Sequence, residues 1–418
     1  MNRTACILFV AALGTMQVGA VDTMTALLRD DVRTLRTQVG DDLFALPMAV
    51  LGSGDAVTVS FDHLSEDREF LRYRVVRCDA NWQPSTVAET EYLDGFNESI
   101  IENYEYSRAT TVHYVHYYFD FPNEDISPTL SGNYLLEVYS EDAPETPWLR
   151  QRVMLSEQSA PISVSVTSRT DIDYNDAHQQ VSVSVDTERA AVADPFNDLT
   201  VMVSQNGRGD NEVALKQPLR MSGTTAIYEH RDPLIFEAGN EYRRMEVSNV
   251  HYPGMGVEAI DYYYPYYHFT LYTDQSRAGE SYTYDSTQHG RFFVREYNSS
   301  ESDIEADYVV VHFALDYPEL PGTMIFLDGD MTQRRFDSSS IMTYNEAEGR
   351  YEKALLLKQG AYNYQYLAVT PGANRGTTSI IEGNKYQTVN EYVVKVYARG
   401  PLDRTDRLIG VTSVTTQP

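Results

Sequence analysis

Two histidines and a pair of aspartates come nearest to a metal site in this sequence. His113 and His116 are three residues apart, which suits two ligands on a helix but places their rings on opposite faces of a strand. Asp328-Gly329-Asp330 resembles the start of a calcium loop, yet Ser339 stands where such a loop has its bidentate glutamate. We therefore predict one histidine at the edge of the core and one exposed, a turn at 328–330, and no metal ligand set.

The sequence also gives little support for a catalytic site that uses acid–base or nucleophilic chemistry. Carboxylates alternate along the sequence between Glu301 and Asp307 and could supply a pair for glycoside cleavage. A single sequence determines neither the distance between two of these carboxylates nor whether the pKa of one is raised. We therefore predict that they lie along a solvent-exposed edge. Asn206-Gly207 indicates a tight hairpin turn. With no nucleophile elbow and no Gly-rich phosphate loop, we predict a protein that is not an enzyme and has no cofactor. A hydrolase with an unrecognised site stays an alternative.

The most unusual local feature is the aromatic run Tyr-Tyr-Tyr-Pro-Tyr-Tyr-His-Phe at 262–269. A strand points alternate side chains to opposite faces, so some of these tyrosines should reach the surface. Exposed tyrosines supply rigid amphipathic area for binding a macromolecule. The residues that we predict to bind a partner are Tyr262, Tyr263, Tyr264, Tyr266 and Tyr267.

Apolar and polar residues alternate with period two along the chain, which predicts strands. The clearest examples lie at 57–61, 71–75, 150–155, 162–166, 181–185, 199–203, 308–313, 351–357 and 392–397. Residues 24–39 suit a helix or a strand, and we predict a strand. Many short strands without interleaved helices predict an all-β protein of tandem antiparallel β-sandwich domains, of the Ig-like or early-set kind.

The first twenty residues have the pattern of a secretory signal peptide, with Arg3, an apolar stretch and small residues before a predicted cleavage after Ala20. The mature chain would keep one cysteine, Cys78, which we expect to be a buried small hydrophobe. The net charge of −28 repels nucleic acid and anionic head groups and favours a partner with a positive or polar face. No later stretch is apolar enough for a transmembrane helix.

Length and breaks in the patterning predict three domains after a signal peptide at 1–20. The N-terminal β-sandwich is predicted at 21–158, and a linker is predicted from Ser156 to Pro161. The middle β-sandwich is predicted at 159–297. The acidic, serine-containing stretch 298–303 then leads into an early-set-like C-terminal β-sandwich at 298–418.

A dozen longer phrases lie in a fixed order along nearly the whole mature chain. They include Ser-Phe-Asp-His-Leu at 60–64 and Arg-Cys-Asp-Ala-Asn-Trp-Gln-Pro-Ser at 77–85. The others lie at 51–55, 91–96, 116–123, 130–136, 205–208, 238–243, 305–309, 357–364, 381–384 and 406–410. Together they resemble the plug proteins of the type IX secretion system. The family phrase usually has a histidine before the cysteine, where this chain has Arg77.

The resemblance implies a periplasmic protein at the inner side of the outer membrane. Its partner would be the very large outer-membrane β-barrel translocon, whose periplasmic opening it closes when no cargo is present. The predicted C-terminal domain is also similar to early-set sandwiches associated with glycan binding. Tyr362, Tyr364 and Tyr366 share one strand face there. This stripe suits either a platform that binds a glycan or packing in the core. A periplasmic glycan-binding protein is therefore the alternative function.

Overall fold

The computed structural model describes residues 22–417, so the predicted signal peptide lies outside the described residues. Strands dominate among these residues, and the α-helices are single turns: α1 (Glu89–Tyr92), α2 (Pro195–Asp198) and α3 (Ser302–Glu305). Two short 3-10 helices lie at Asp232–Leu234 and Asp330–Thr332. None of the helices in this part of the chain has the length and hydropathy needed to cross a membrane. The prediction of an all-β protein built from antiparallel sandwiches is confirmed.

The N-terminal domain is a sandwich of two sheets. Its strands are β1 (Ala26–Leu27), β2 (Val32–Val39), β3 (Met48–Val50), β4 (Val57–His63), β5 (Leu71–Cys78), β6 (Leu93–Asp94), β7 (Ser99–Ile100), β8 (Asn103–Tyr106), β9 (Val115–Phe121), β10 (Ser127–Pro128), β11 (Gly132–Ser140) and β12 (Pro147–Ser156). One sheet has the order β1-β12-β11-β5-β7, with β3 also beside β12, and the other has the order β2-β4-β9-β8.

The predicted alternation places the core of this domain between the two sheets. The odd residues of β4, Val57, Val59 and Phe61, are buried, and so are Tyr73 and Val75 of β5. Period-two alternation thus identified both the strands and the face that each one buries. Within residues 24–39, predicted as one strand, the structure has two strands, β1 and β2, with a turn between them.

Nineteen further strands follow in the described chain. The first seven are β13 (Ile162–Thr167), β14 (His178–Asp186), β15 (Leu199–Gln205), β16 (Val213–Leu215), β17 (Arg220–Ser222), β18 (Thr225–Tyr228) and β19 (Ile235–Glu237). The next ten are β20 (Arg243–Glu246), β21 (Val257–Tyr263), β22 (Tyr266–Leu271), β23 (Asp274–Gln275), β24 (Phe292–Val294), β25 (Tyr308–Asp316), β26 (Met324–Asp328), β27 (Thr343–Asn345), β28 (Arg350–Lys358) and β29 (Gly360–Val369). The last two are β30 (Glu391–Ala398) and β31 (Arg407–Thr415).

Strands from both ends of this part of the chain form the middle sandwich. Its first sheet has the order β13-β14-β18-β17, with β19 also on β14, and its second has the order β16-β15-β30-β31. We propose that the strands between β19 and β30 form the C-terminal domain as an insertion. Its sheets have the orders β20-β29-β24, with β26 also on β29, and β21-β22-β25-β28-β27, with β23 also on β25.

The division into 159–297 and 298–418 stays a prediction, and the pairing of two distant strands favours a different division. β15 and β30 pair from Leu199 opposite Ala398 to Gln205 opposite Tyr392, so residues far apart in sequence share one sheet and one core. Alternation identifies strands but not their partners, and it therefore cannot reveal an insertion. We propose that the middle domain comprises the strands up to β19 together with β30 and β31.

Candidate partner-binding surface and domain joints

The aromatic run forms a hairpin at one edge of the C-terminal domain. β21 and β22 pair up to Tyr263 opposite Tyr266, and Tyr264-Pro265 forms the turn. Tyr262, Tyr263 and Tyr264 are 49, 63 and 89% exposed. Because β21 is the edge strand of its sheet, these side chains project beside a strand edge that no other strand of the described chain covers.

The two tyrosines after the turn have a different environment. Tyr266 and Tyr267 are half-buried, and Tyr267 packs against the core of the C-terminal domain. The ring centroid of Tyr262 lies 4.8 Å from that of Tyr267, and the centroid of Tyr263 lies 5.2 Å from that of His268. The tip therefore presents three exposed tyrosines, and two of them, Tyr262 and Tyr263, pack on half-buried rings of β22. Partner binding by these five tyrosines stays a prediction.

A buried ion pair joins the N-terminal domain to the C-terminal domain. The side chains of Asp62 in β4 and Lys358 in β28 are both 0% exposed, and Lys358 Nζ lies 2.6 Å from Asp62 Oδ2. The Tyr308 hydroxyl donates to the same oxygen at 2.6 Å, and His116 Nδ1 lies 2.6 Å from Asp62 Oδ1. Lys358 also donates to the backbone oxygen of Asp303 at 2.5 Å. We name this cluster the Asp62 joint.

The charges of the Asp62 joint depend on one another. Burial by itself would raise the pKa of Asp62, but the Lys358 ammonium and the hydrogen-bonded His116 ring lower it to about 2. Burial, with the neighbouring Asp62 carboxylate, raises the pKa of Tyr308 well above its ordinary value. Tyr308 is therefore a neutral donor, and the joint holds an ionised carboxylate.

The carboxylates near residue 305 belong to the same contact between domains. Asp307 is buried and accepts hydrogen bonds from the backbone N–H of Thr111 at 2.8 Å and of Val112 at 3.1 Å. Asp303 pairs with Arg36 at 2.6 Å. The predicted solvated edge is therefore wrong for Asp307, because the N-terminal domain covers this edge and sequence alternation does not reveal a covering domain.

A second joint connects the N-terminal domain to the loop before β31 of the middle domain. Arg77 is 1% exposed and donates from Nη2 to the backbone oxygens of Asp406 at 2.7 Å and Ser131 at 2.5 Å. Its Nη1 donates to the hydroxyl of Thr405. Gly132 has φ +139°, and a Cβ there would lie 2.7 Å from Arg77 Nη2, so the site requires glycine. We name this cluster the Arg77 joint.

An apolar layer continues the Arg77 joint between the two sandwiches. Its buried members are Cys78, Ala80, Trp82, Leu135, Met154, Met202, Val393, Tyr397, Leu408 and Val411. They come from β5, the loop after it, β11 and β12 on one side and from β15, β30 and β31 on the other. The guanidinium of Arg152 lies 4.4 Å from the centroid of the Trp82 ring. The two domains therefore meet through a continuous hydrophobic core.

Cys78 should react slowly with thiol reagents in the folded protein. Its side chain is buried, as predicted, and burial raises the pKa of the thiol to about 11, so little thiolate is present at neutral pH. We expect slow reaction of the mature protein with Ellman's reagent at pH 8 and complete reaction after unfolding in guanidinium chloride. A rapid stoichiometric reaction of the native protein would contradict this packing.

A third joint connects the middle domain to the inserted C-terminal domain. Buried Arg208 donates from Nη2 to Asp210 Oδ2 at 2.6 Å and to the backbone oxygen of Gly376 at 2.8 Å. Asn240 also donates to the backbone oxygen of Glu382 at 2.9 Å, which links the two chain segments that enter and leave the insertion. The turn predicted at Asn206-Gly207 is confirmed, since both residues have positive φ and Arg208 N–H bonds to the oxygen of Gln205. We name this cluster the Arg208 joint.

Comparison with known families adds to this geometry. The family model described as type 9 secretion system plug protein 1st domain matches residues 32–157, which span the N-terminal domain from β2 onwards. The chain belongs to the type 9 secretion system plug protein family.

A solved structure of a hypothetical protein from Parabacteroides merdae ATCC 43184 is similar to this plug-family chain along its length. The two are 41% identical with a TM-score of 0.92, over 94% of this chain and 99% of that chain. A putative membrane anchored protein from Corynebacterium diphtheriae aligns over 92% of this chain and 91% of its own at 6% identity and a TM-score of 0.14, too low to indicate a shared fold. The comparison with curated proteins gives no match.

Most residues that form the three joints belong to the plug-family phrases. The Asp62 joint takes Asp62, His116, Tyr308 and Lys358 from the phrases at 60–64, 116–123, 305–309 and 357–364. The Arg77 joint joins the phrase at 77–85 to those at 130–136 and 406–410. Sequence analysis missed this role, although a lysine directly after the apolar run 355–357 is a signal for a buried charge that needs a partner.

The remaining predictions can be placed on the fold. His113 is exposed and His116 buried, as predicted. A turn is confirmed at 328–330, where β26 ends and a 3-10 helix begins, and Asp330 accepts a hydrogen bond from Arg334 at 2.7 Å. Tyr362, Tyr364 and Tyr366 are buried in the core of the C-terminal domain, so this stripe is core packing and offers no glycan platform.

Proposed function

We propose that this protein is a periplasmic plug that docks on the outer-membrane translocon of the type IX secretion system and closes its periplasmic opening when no cargo is present. The observation that carries the proposal is the match of residues 32–157 to the plug family. The protein acts by binding rather than by catalysis. Docking and release, not a chemical step, then control the opening.

The three joints support this role because a plug must keep its shape while it covers an opening. Domains joined by ordinary linkers move relative to one another unless the interface between them is large and hydrophobic. Here the N-terminal domain contacts the middle domain through an apolar layer and the C-terminal domain through a buried ion pair. The three domains therefore dock as one body, which lowers the entropy lost on binding.

The aromatic hairpin and the net charge suggest how docking occurs. Tyrosines are enriched among the residues that dominate binding energy, and three of them are exposed at the hairpin. The charge of −28 favours a rim that carries lysine or arginine and speeds the approach of the two proteins. A seal that also releases should bury at least about 1,200 Å² of total surface.

Replacing Tyr263 and Tyr264 by serine should weaken docking without unfolding the protein. Both side chains are exposed, so we expect folding to be retained and the Kd for the barrel to rise about 30-fold, or about 2 kcal/mol. The tagged double variant and the wild type would each be used to capture proteins from detergent-solubilised envelopes at low salt. Mass spectrometry would quantify the captured outer-membrane barrel.

A matched control changes two exposed tyrosines on the other domains. Tyr106→Ser/Tyr174→Ser alters the N-terminal and middle domains, and it should capture as much barrel as the wild type. Equal capture by the hairpin variant would show that the tyrosines lie outside the contact. If the wild type itself captures no very large barrel, the plug function is contradicted.

A further inference from the structure

Two histidines face each other on the outer surface of the C-terminal domain. His268 Nδ1 lies 2.8 Å from His312 Nε2. The ring planes differ by 20° and the centroids are 5.2 Å apart, close to the nitrogen separation plus two ring radii. The rings therefore meet edge to edge, and the two nitrogens point at each other as the donor and acceptor of one N–H···N hydrogen bond.

The strands fix this arrangement. β22 and β25 are parallel neighbours, and Thr270 lies opposite His312 in their register. Buried Phe269 and Val311 belong to the core face, so His268 and His312 occupy the opposite, outer face. Adjacent strands lie about 4.8 Å apart, which brings two side chains of the same face within reach of one ligand.

The surroundings favour a cation. The pair lines an open groove of about 830 Å³ that also contains the carboxylates of Glu258, Asp261 and Glu352. Arg350 of the same groove pairs with Glu352 at 2.7 Å and offsets that carboxylate, whereas Lys353 donates to the backbone oxygen of Ser338 at 2.7 Å.

We propose that His268 and His312 form a binding site for a divalent transition-metal ion such as Zn²⁺, Ni²⁺ or Cu²⁺. Imidazole nitrogen is a preferred ligand of these ions. Metal–nitrogen bonds of about 2.0 Å in tetrahedral geometry put the two nitrogens about 3.3 Å apart. The nitrogens therefore separate by about half an ångström, and both rings turn so that their lone pairs meet at the metal. The hydrogen now shared by the pair moves to the other nitrogen of its ring.

The protein supplies two ligands at this site and water completes the coordination. No group of three or more His, Cys, Asp or Glu side chains within residues 22–417 is placed to hold a metal ion. Binding should therefore be reversible and weaker than at a closed four-ligand zinc site. His268 lies in the second strand of the hairpin, beside Tyr263, but metal binding does not need the barrel, so its test is separate from that of the proposed plug function.

The test uses the mature protein without a histidine tag. Titration calorimetry with Zn²⁺ at pH 7.5 should give one site in the wild type, and His268→Gln or His312→Gln should each weaken it at least about tenfold. A double control, His113→Gln/His251→Gln, removes two exposed histidines and should leave the affinity unchanged. Electron paramagnetic resonance of the Cu²⁺ complex should show hyperfine coupling to two nitrogens.

The glutamine variants should unfold at the wild-type temperature in the absence of metal, which separates loss of a ligand from loss of the fold. Zn²⁺ affinity that is unchanged in both single variants would overturn the proposal. So would a Cu²⁺ spectrum with one nitrogen ligand, or with nitrogens that persist in the double variant His268→Gln/His312→Gln.

Discussion

Replacing Asp62 by alanine should lower the free energy of unfolding by about 3–5 kcal/mol, because the Lys358 ammonium is then buried without a counter-ion. The side chain of Lys358 is 0% exposed, and its other acceptor is the neutral backbone oxygen of Asp303. Tyr308 and His116 lose a hydrogen-bond partner at the same time. Urea denaturation followed by circular dichroism measures the loss, and limited proteolysis shows whether the N-terminal and C-terminal domains separate.

Two control variants distinguish a buried pair from general damage to β4. Asp62→Ala/Lys358→Met removes both charges, and it should recover most of the lost stability because an apolar replacement of a buried ion pair is often neutral. Asp120→Ala removes an exposed carboxylate of the adjacent strand β9 and should change stability by no more than about 0.5 kcal/mol. A double variant as unstable as Asp62→Ala would contradict the ion-pair argument.

The same joint should make stability depend on acid pH. The pKa of Asp62 is about 2 in the folded protein, below its ordinary value of 3.8. Its contribution is therefore complete above about pH 4 and is lost as the pH falls towards 2, by about 2 kcal/mol in total. Asp62→Asn should flatten this part of the curve of stability against pH, measured by urea denaturation between pH 5 and 2.

The strands could be predicted from the sequence because each one carries its own signal. In β4 and β5 the alternation of apolar and polar residues identifies both the strand and its buried face. The pairing of β15 with β30 could not be predicted, since Gln205 and its partner Tyr392 are 187 positions apart in the sequence and no local pattern indicates the contact. Short segments determine strands, whereas the whole chain determines which strands pair.

The candidate functional sites also differ in whether the sequence could predict them. The tyrosine run was found because its composition is unusual, and three of its members are exposed. The Asp62 joint was not found, because Asp62 and Lys358 lie on different domains and each looks alone like an ordinary strand residue. Contacts between domains form when folded sandwiches pack against each other. The sequence pattern of the strand that contains Asp62 or of the strand that contains Lys358 therefore cannot indicate them.

Replacing Arg77 by alanine should lower the free energy of unfolding by about 3 kcal/mol, because buried oxygens on both sides of the domain interface lose a charged donor. Arg77 donates to Ser131 within the N-terminal domain and to Thr405 and Asp406 of the middle domain. Arg77→Lys should recover only part of the loss, since one ammonium cannot reproduce the planar fork of donors. Thermal unfolding measures stability, and proteolysis at residues 399–406 measures release of the loop.

An exposed arginine supplies the control for this joint. Arg220→Ala removes a side chain that pairs with Glu229 at 3.2 Å on the surface of the middle domain, and such pairs contribute at most about 1 kcal/mol. If Arg77→Ala is as stable as Arg220→Ala, the apolar layer around Trp82 and Leu408 holds these domains together without the guanidinium. If Arg77→Ala instead frees the 399–406 loop for cleavage while the N-terminal sandwich resists, the arginine fastens the two domains as the geometry indicates.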